Sequence, residues 1–500
     1  MNRRDFLKFS SCGLTFVAVG SANFPTFWRS SKAFAEISSR LDLEMIEVLA
    51  EMVDGVQVPM WAFKVDNGVS GLPLDPRIPG PALVAYEGER IRIRVTNNIP
   101  NGGPHSFTIP GVVDSGPLAF EADETVEFDA PRAGTYMYFD GLNAPVNRVM
   151  GLHGALVVLP SPAGNPTPYS DPTENVRKLF SHLGRTDHFP GHPWNPARNA
   201  VWVFNTIDPD KNTAAASPQG LTSQQFLAGY LPQYFTINGK SGFFGAQHHH
   251  HGGDGDVPSE HAGRFSAFDL QANISFGGHV GEPILIRNLN AGLMWHSPHI
   301  HGQHVYELAV NGTVKDDLEL LDTWRLPPLA RVDLLHPFMS PPDIPDNFWE
   351  RVEAGTNHEL LPLLYPMHDH NEISNTAAGA NYPHGLATHW QINGDIDPSL
   401  VVLTFDRADF RVRTGMLELE GFSSTPNIHL VVHAGGHDGP VLGETHVGSD
   451  GRWSFRGRGI KALPTRSVTV VYHGEDHDDD NNGDNGHEVI RDFFTPLRLR

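Results

Sequence analysis

The 500-residue sequence predicts an all-β protein of three sandwich-like units, and three observations carry that expectation. Apolar residues make up 39% of the chain, enough for packed cores. Gly 50 and Pro 40 are spread without a repeating period, a density of turn formers that favours many short strands over long helices. Between these breaks lie short runs in which apolar and polar side chains alternate with the two-residue period of a strand.

The first unit, residues 40–165, carries such runs at Ala82-Leu83-Val84-Ala85-Tyr86, Arg90-Ile91-Arg92-Ile93-Arg94-Val95 and Leu156-Val157-Val158-Leu159. A linker rich in Pro, Asn and Ser follows at 161–172, then one short helix is expected near 174–181. The second unit, 195–403, has its strand signals at Ala200-Val201-Trp202-Val203-Phe204, Gln233-Tyr234-Phe235-Thr236-Ile237-Asn238, Pro283-Ile284-Leu285-Ile286-Arg287-Asn288 and His304-Val305-Tyr306-Glu307-Leu308. The phrases from Gly88-Glu89-Arg90 and from Gly281-Glu282-Pro283 are similar, and each precedes a histidine-bearing segment, which points to a duplicated fold. The third unit, 408–500, alternates at His429-Leu430-Val431-Val432-His433 and Ser467-Val468-Thr469-Val470-Val471-Tyr472, with Gly451-Arg452-Trp453-Ser454-Phe455 between. It resembles a bacterial immunoglobulin-like β-sandwich, a class that usually serves spacing or adhesion. Its acidic stretch, 475–488, sets Asp478, Asp480, Asn482 and Gly483 as in a calcium loop, yet Val489 occupies the closing position that needs glutamate. A calcium loop and a solvated hairpin loop both stay open.

Charge narrows the function. Lys+Arg 36 against Asp+Glu 58 gives −22, which argues against a nucleic-acid partner or an anionic membrane surface, both of which call for clustered cations. The opening Asn2-Arg3-Arg4-Asp5-Phe6-Leu7-Lys8, the weakly apolar stretch 13–22 and Ala33-Phe34-Ala35 resemble a twin-arginine signal peptide over residues 1–35. That stretch is too short to span a bilayer, so no membrane anchor is expected, and the protein would be periplasmic or secreted. Without residues 1–35 the chain has 31 basic and 57 acidic residues, a net charge of −26. The single cysteine, Cys12, lies in the same segment, so the exported chain would have no disulfide, no thiolate metal site and no cysteine nucleophile.

The 28 histidines are the sharpest chemical signal. In Trp295-His296-Ser297-Pro298-His299-Ile300-His301-Gly302, residues two apart on a strand point the same way, so His299 and His301 present two imidazoles while Ile300 packs behind them. Met367-His368-Asp369-His370 repeats the geometry. Two such strands brought together would surround one or two ions with four nitrogens, a donor set that suits copper or zinc. His296 and Asp369, facing away on the other side, form a possible second, harder site. The run His248, His249, His250 and His251 reads as a loose metal-capturing loop or as a solvated low-complexity insertion.

These motifs carry a family resemblance. The second unit resembles the C-terminal cupredoxin domain of multicopper oxidases, through His296-x-x-His299-x-His301-Gly302 and the later His368-x-His370. The first unit resembles the N-terminal cupredoxin domain, through Gly134-Thr135-Tyr136-Met137-Tyr138 and Gly151-Leu152-His153-Gly154-Ala155-Leu156-Val157-Val158. The resemblance implies two cupredoxin-like Greek-key sandwiches, copper, and ligation of half a trinuclear cluster by His299, His301, His368 and His370. It also exposes departures. Where the family has the cysteine of its blue type 1 copper this chain has Asp369, and where it has a further type 1 histidine it has Ser374. A carboxylate cannot reproduce a copper–thiolate bond. In the first unit the family's paired histidines are replaced by Thr108-Ile109-Pro110 and Phe139-Asp140-Gly141. His105 there matches a type 1 histidine of the copper nitrite reductase branch, opposite Asp140 at the cysteine position, and reads as a ligand or as a hydrogen-bonded structural histidine; His153 reads as structural.

The resemblance therefore implies an exported copper-binding oxidoreductase with a degenerate site, not a four-copper laccase, taking a metal ion, dioxygen and a small reductant as partners. The alternative is a non-catalytic copper-binding or sequestering protein. Relatives of two cupredoxin domains often form trimers, so a homo-oligomer is possible, although the missing first-domain histidines weaken that inference.

Overall fold

The computed structural model describes residues 15–16, 40–65, 78–160, 167–195, 198–242, 274–345, 347–353, 360–378, 382–397, 400–435, 439–460, 463, 467–475, 488–496 and 498–499. The signal segment apart from Thr15 and Phe16, the run His248 to His251 and the proposed calcium loop lie outside the described residues. The described chain is all-β, with six sheets in three facing pairs and a few short helices.

In the first pair, one sheet runs Gln57–Val65, Arg40–Glu51, Arg90–Asn97, Asp123–Asp129; the other runs Thr15–Phe16, Leu83–Tyr86, His153–Leu159, Gly134–Phe139, Thr108–Ile109, Val113–Asp114. Arg90–Asn97 shows why the alternation in sequence becomes a strand. Ile91, Ile93 and Val95 are buried against Leu41, Leu83 and Leu156, while Arg92 and Arg94 reach across the solvent face to Glu127 at 2.8 Å and Asp123 at 3.0 Å. Burial supplies the stability, since exposed ion pairs contribute well under about 1 kcal/mol each.

The second pair repeats the topology. Its sheets run Tyr234–Ile237, Asn199–Ile207, Ile284–Asn290, Arg331–His336, Val305–Val310, Thr313–Leu321, and Phe276–His279, Ala387–Gly394, Leu363–Asp369, Pro298–Ile300. Arg90–Asn97 lies parallel to Arg40–Glu51 and antiparallel to Asp123–Asp129; Ile284–Asn290 lies parallel to Asn199–Ile207 and antiparallel to Arg331–His336. The likeness between the two phrases in sequence is thus a likeness of position in the sheet.

Asn199–Ile207 and Ile284–Asn290 are buried along their whole length, polar Asn205, Arg287 and Asn288 included, because both faces are covered. One cover comes from the first pair, whose Met137, Ala155 and Val157 sit in the same core as Trp202, Phe204 and Ile286. Buried polar groups tie the two sandwiches further. The Arg287 guanidinium donates to Asp333 at 3.2 Å and to Thr135 Oγ1 at 3.0 Å, while Thr135 and Tyr169 hydroxyls donate to Asp333 at 2.5 and 3.0 Å. The expected helix spans Glu174–His182, capped by the Thr173 side chain accepting from Val176 N–H, and buries Val176, Leu179 and Phe180 against Leu285, Leu308 and Leu335.

The third pair joins Arg452–Gly457, Met416–Ser423, Leu403–Arg411, Arg498–Leu499 to Val441–His446, His429–Ala434, Ser467–Glu475, Glu488–Pro496, around Leu417, Leu419, Leu430, Val432, Trp453 and Val470.

Candidate metal centre

Pro298–Ile300 is an edge strand paired antiparallel with Leu363–Asp369, in a register that sets His299 opposite His368 and Pro298 opposite Asp369. The pairing runs on past the strand ends, with His301 N–H donating to Pro366 C=O at 2.9 Å and His370 N–H to Ser297 C=O at 3.0 Å. Alternation then sorts the side chains. Ile300, Met367 and Asp369 point into the core; His299, His301, His368 and His370 share the outer face, and His370 is exposed. Gly302 turns the chain away immediately after His301 with φ +80°, and a Cβ there would lie 2.3 Å from the Tyr365 ring.

The structure brings the four expected rings together. Centroids lie 4.5 Å apart for His299 and His301, 4.7 Å for His299 and His370, 5.2 Å for His301 and His368, and 5.4 Å for His368 and His370. His301 Nε2 and His368 Nε2 stand 3.1 Å apart. Two nitrogens bound to one ion at about 2.0–2.1 Å in tetrahedral geometry would stand about 3.3 Å apart, so this pair is already spaced as two ligands of one ion are.

Neighbouring backbone fixes how the rings are protonated. His299 Nδ1–H is shared between the Asp322 carbonyl at 3.1 Å and Thr323 Oγ1 at 3.0 Å, and His368 Nδ1–H donates to the Asp369 carbonyl at 3.0 Å. These bonds place a hydrogen on Nδ1 of both rings and turn their Nε2 atoms to the shared face, where His368 Nε2 meets His301 Nε2. This is the outer hydrogen bonding that orients metal-binding histidines. Burial, then the neighbouring His299, His368 and His370, push the His301 pKa below its ordinary value and favour the neutral ring. Among the described residues, no group of three or more His, Cys, Asp or Glu side chains is placed so as to hold a metal ion, this cluster as it stands included.

His296 and Asp369 meet on the opposite side of the sheet, but not as two ligands. His296 Nδ1–H donates to Asp369 Oδ2 at 2.6 Å, shorter than two ligands of one ion would stand, and both side chains are fully buried. Ser374 Oγ donates to Oδ2 at 2.5 Å and Ser297 N–H to Oδ1 at 2.6 Å. Burial by itself raises the Asp369 pKa, but these donors outweigh it and hold the carboxyl below its ordinary range. The pair expected as a harder metal site is joined in this structure by a hydrogen bond within a buried network.

His105 has the same surroundings. His105 Nδ1–H donates to Asp140 Oδ2 at 2.7 Å, and the carboxylate also accepts from Ser106 Oγ at 2.8 Å, Asn147 Nδ2 at 2.8 Å and Leu142 N–H at 2.9 Å. His153 donates to the Arg148 carbonyl at 2.7 Å in full burial, the structural role expected of it. Thr323, Ser374 and Asn147 are the partners that the motifs did not reveal. A signal was present, since His105-Ser106 and His296-Ser297 stand at the same place in the two halves and Asp140 and Asp369 follow at matching strand ends.

Comparison with known proteins adds the following. A family model described as multicopper oxidase matches residues 63–163, within the first sandwich. A copper-containing nitrite reductase of Alcaligenes xylosoxydans xylosoxydans is 33% identical over 92 residues, 17% of this chain and 28% of that protein. Another, from Cereibacter sphaeroides, is 26% identical over 138 residues, 25% of this chain and 35% of that protein. The chain thus spans only about a third of the length of the curated relatives it matches. Among solved structures, a blue copper oxidase from Nitrosomonas europaea is 19% identical with a TM-score of 0.47, covering 71% of this chain and 86% of that one. A copper nitrite reductase from the same organism is 16% identical with a TM-score of 0.43, covering 72% and 95%.

Proposed function

We propose that this chain is an exported copper-binding oxidoreductase related to multicopper oxidases and copper nitrite reductases, in which His299, His301, His368 and His370 hold the metal. The observation that carries this reading is the convergence of these rings on one face, with the Nε2 atoms of His299 and His368 turned to it by backbone acceptors. Four imidazoles without sulfur suit copper, and zinc next. Bound there, copper would supply a redox centre open to a small reductant or to dioxygen. The chain's own part is to favour the neutral ring at His301, to orient His299 and His368 through Asp322, Thr323 and the Asp369 carbonyl, and to close the strand pair behind them with Ile300 and Met367. The positions of a thiolate copper hold Asp140 and Asp369, so the intense blue absorption of a type 1 site is not expected.

A second reading, copper capture without turnover, is favoured by the exposure of His370 just past the end of Leu363–Asp369. Elemental analysis of the copper-loaded full chain, paired with dioxygen uptake on a phenol, separates the two. Stoichiometric copper with uptake supports the oxidoreductase, copper without uptake supports capture, and a chain that retains no copper sinks both.

A further inference from the structure

The third sandwich carries a second histidine grouping that the cluster above does not involve. His429, on His429–Ala434, stands directly opposite His446 on the edge strand Val441–His446. Val447 N–H donates to the Ile428 carbonyl in the neighbouring pair, at 2.9 Å, which makes His429 and His446 one of the non-hydrogen-bonded pairs where facing side chains come closest. Their ring centroids are 4.7 Å apart. Glu444 lies two residues before His446 and so on the same face, where its Oε2 accepts from His429 Nε2–H at 3.2 Å. Leu430 and Val432, alternating with His429, are fully buried, so the strands hold this face outward whatever the side chains do. His433, further along, is engaged elsewhere and donates to the Gly439 carbonyl at 3.0 Å.

We propose that His429, His446 and Glu444 form a surface site for one divalent ion of the zinc and copper class. Two imidazoles and one carboxylate on a rigid antiparallel pair are a common donor set for such ions, with water completing the shell. The rings need only rotate about their side-chain bonds, because the register already sets the three side chains within reach of each other. The site is independent of the His299 cluster, being built on a different sandwich.

The test is titration of the full-length chain with zinc chloride by calorimetry. His429→Gln and His446→Gln each remove one equivalent of bound zinc relative to wild type, while Glu444→Gln keeps that equivalent with weaker affinity. Because these side chains are exposed, thermal melts of the three variants should match wild type. A His299→Ala/His368→Ala chain keeps the equivalent lost in His446→Gln, which separates this site from the first. Equal stoichiometry and affinity in wild type, His429→Gln and His446→Gln overturns the proposal, as does a wild-type chain that takes up no zinc.

Discussion

The first two sandwiches share a strand order, and their registers can be laid over one another. Thr108 pairs with Phe139 where His299 pairs with His368, so Thr108, Pro110, Phe139 and Gly141 stand in the first where His299, His301, His368 and His370 stand in the second. Behind those positions the halves agree, as His105 with Asp140 answers His296 with Asp369. The comparison separates two kinds of polar residue. A carboxylate buried at a strand end is tolerated only when donors surround it, and both halves surround theirs with donors that would be left unpaired without it. The outer four carry no such condition, since the first sandwich closes its edge without them.

The comparison can be broken at several places, beginning with the cluster itself. Replacing His299 and His368 by Ala should reduce retained copper at that site from stoichiometric to near zero by elemental analysis, whereas Thr108→Ala with Phe139→Leu should leave it unchanged. Loss of copper in the second variant as well would erase the distinction between the halves.

Removing the inner carboxylates should affect both halves, and mainly as stability. Asp140→Ala strands His105, Ser106 and Asn147, and Asp369→Ala strands His296 and Ser374, so each should cost about 2–4 kcal/mol in denaturant unfolding, with Asp140→Ala the larger because more donors lose their acceptor. Asp369→Ala leaves in place the backbone carbonyl that holds His368, so retained copper should change little in either variant.

Acid should weaken both sandwiches through one buried histidine each. Burial holds His153 at about 4 and His336 at about 3, below the ordinary 6.5. Between 6.5 and those values the unfolded chain binds a proton that the folded chain refuses. Stability is therefore full above 6.5 and falls as pH drops, by up to about 1.4 kcal/mol per pH unit for each histidine. Denaturant midpoints at pH 7 and pH 5 check this, and His153→Gln or His336→Gln should flatten the slope. The smallest effect is expected from Thr323→Val, which removes one of two acceptors on His299 Nδ1 and should weaken copper binding by less than about tenfold, because the Asp322 carbonyl remains.

Most strands and all four outer histidines were legible in the sequence, because both signals are local. Alternation gave Arg90–Asn97 and His429–Ala434, and the spacing of two put His299 with His301. The inner pairs were legible as neighbours but not as hydrogen-bonded partners. His105 and Asp140 are 35 residues apart, His296 and Asp369 are 73, and nothing local distinguishes a carboxylate that accepts a histidine N–H from one that binds an ion. Only three-dimensional register does so. For His296 and Asp369 that register gives a hydrogen bond at 2.6 Å.

Met137, Ala155 and Val157 lie in the same apolar cluster as Trp202 and Phe204, and Thr135 shares a carboxylate with Arg287. A fragment beginning after the linker would expose a wet, uncapped surface where a neighbour belongs. The half of the duplication that has no histidine cluster is thus kept as a wall of the other, and the two should melt in a single transition.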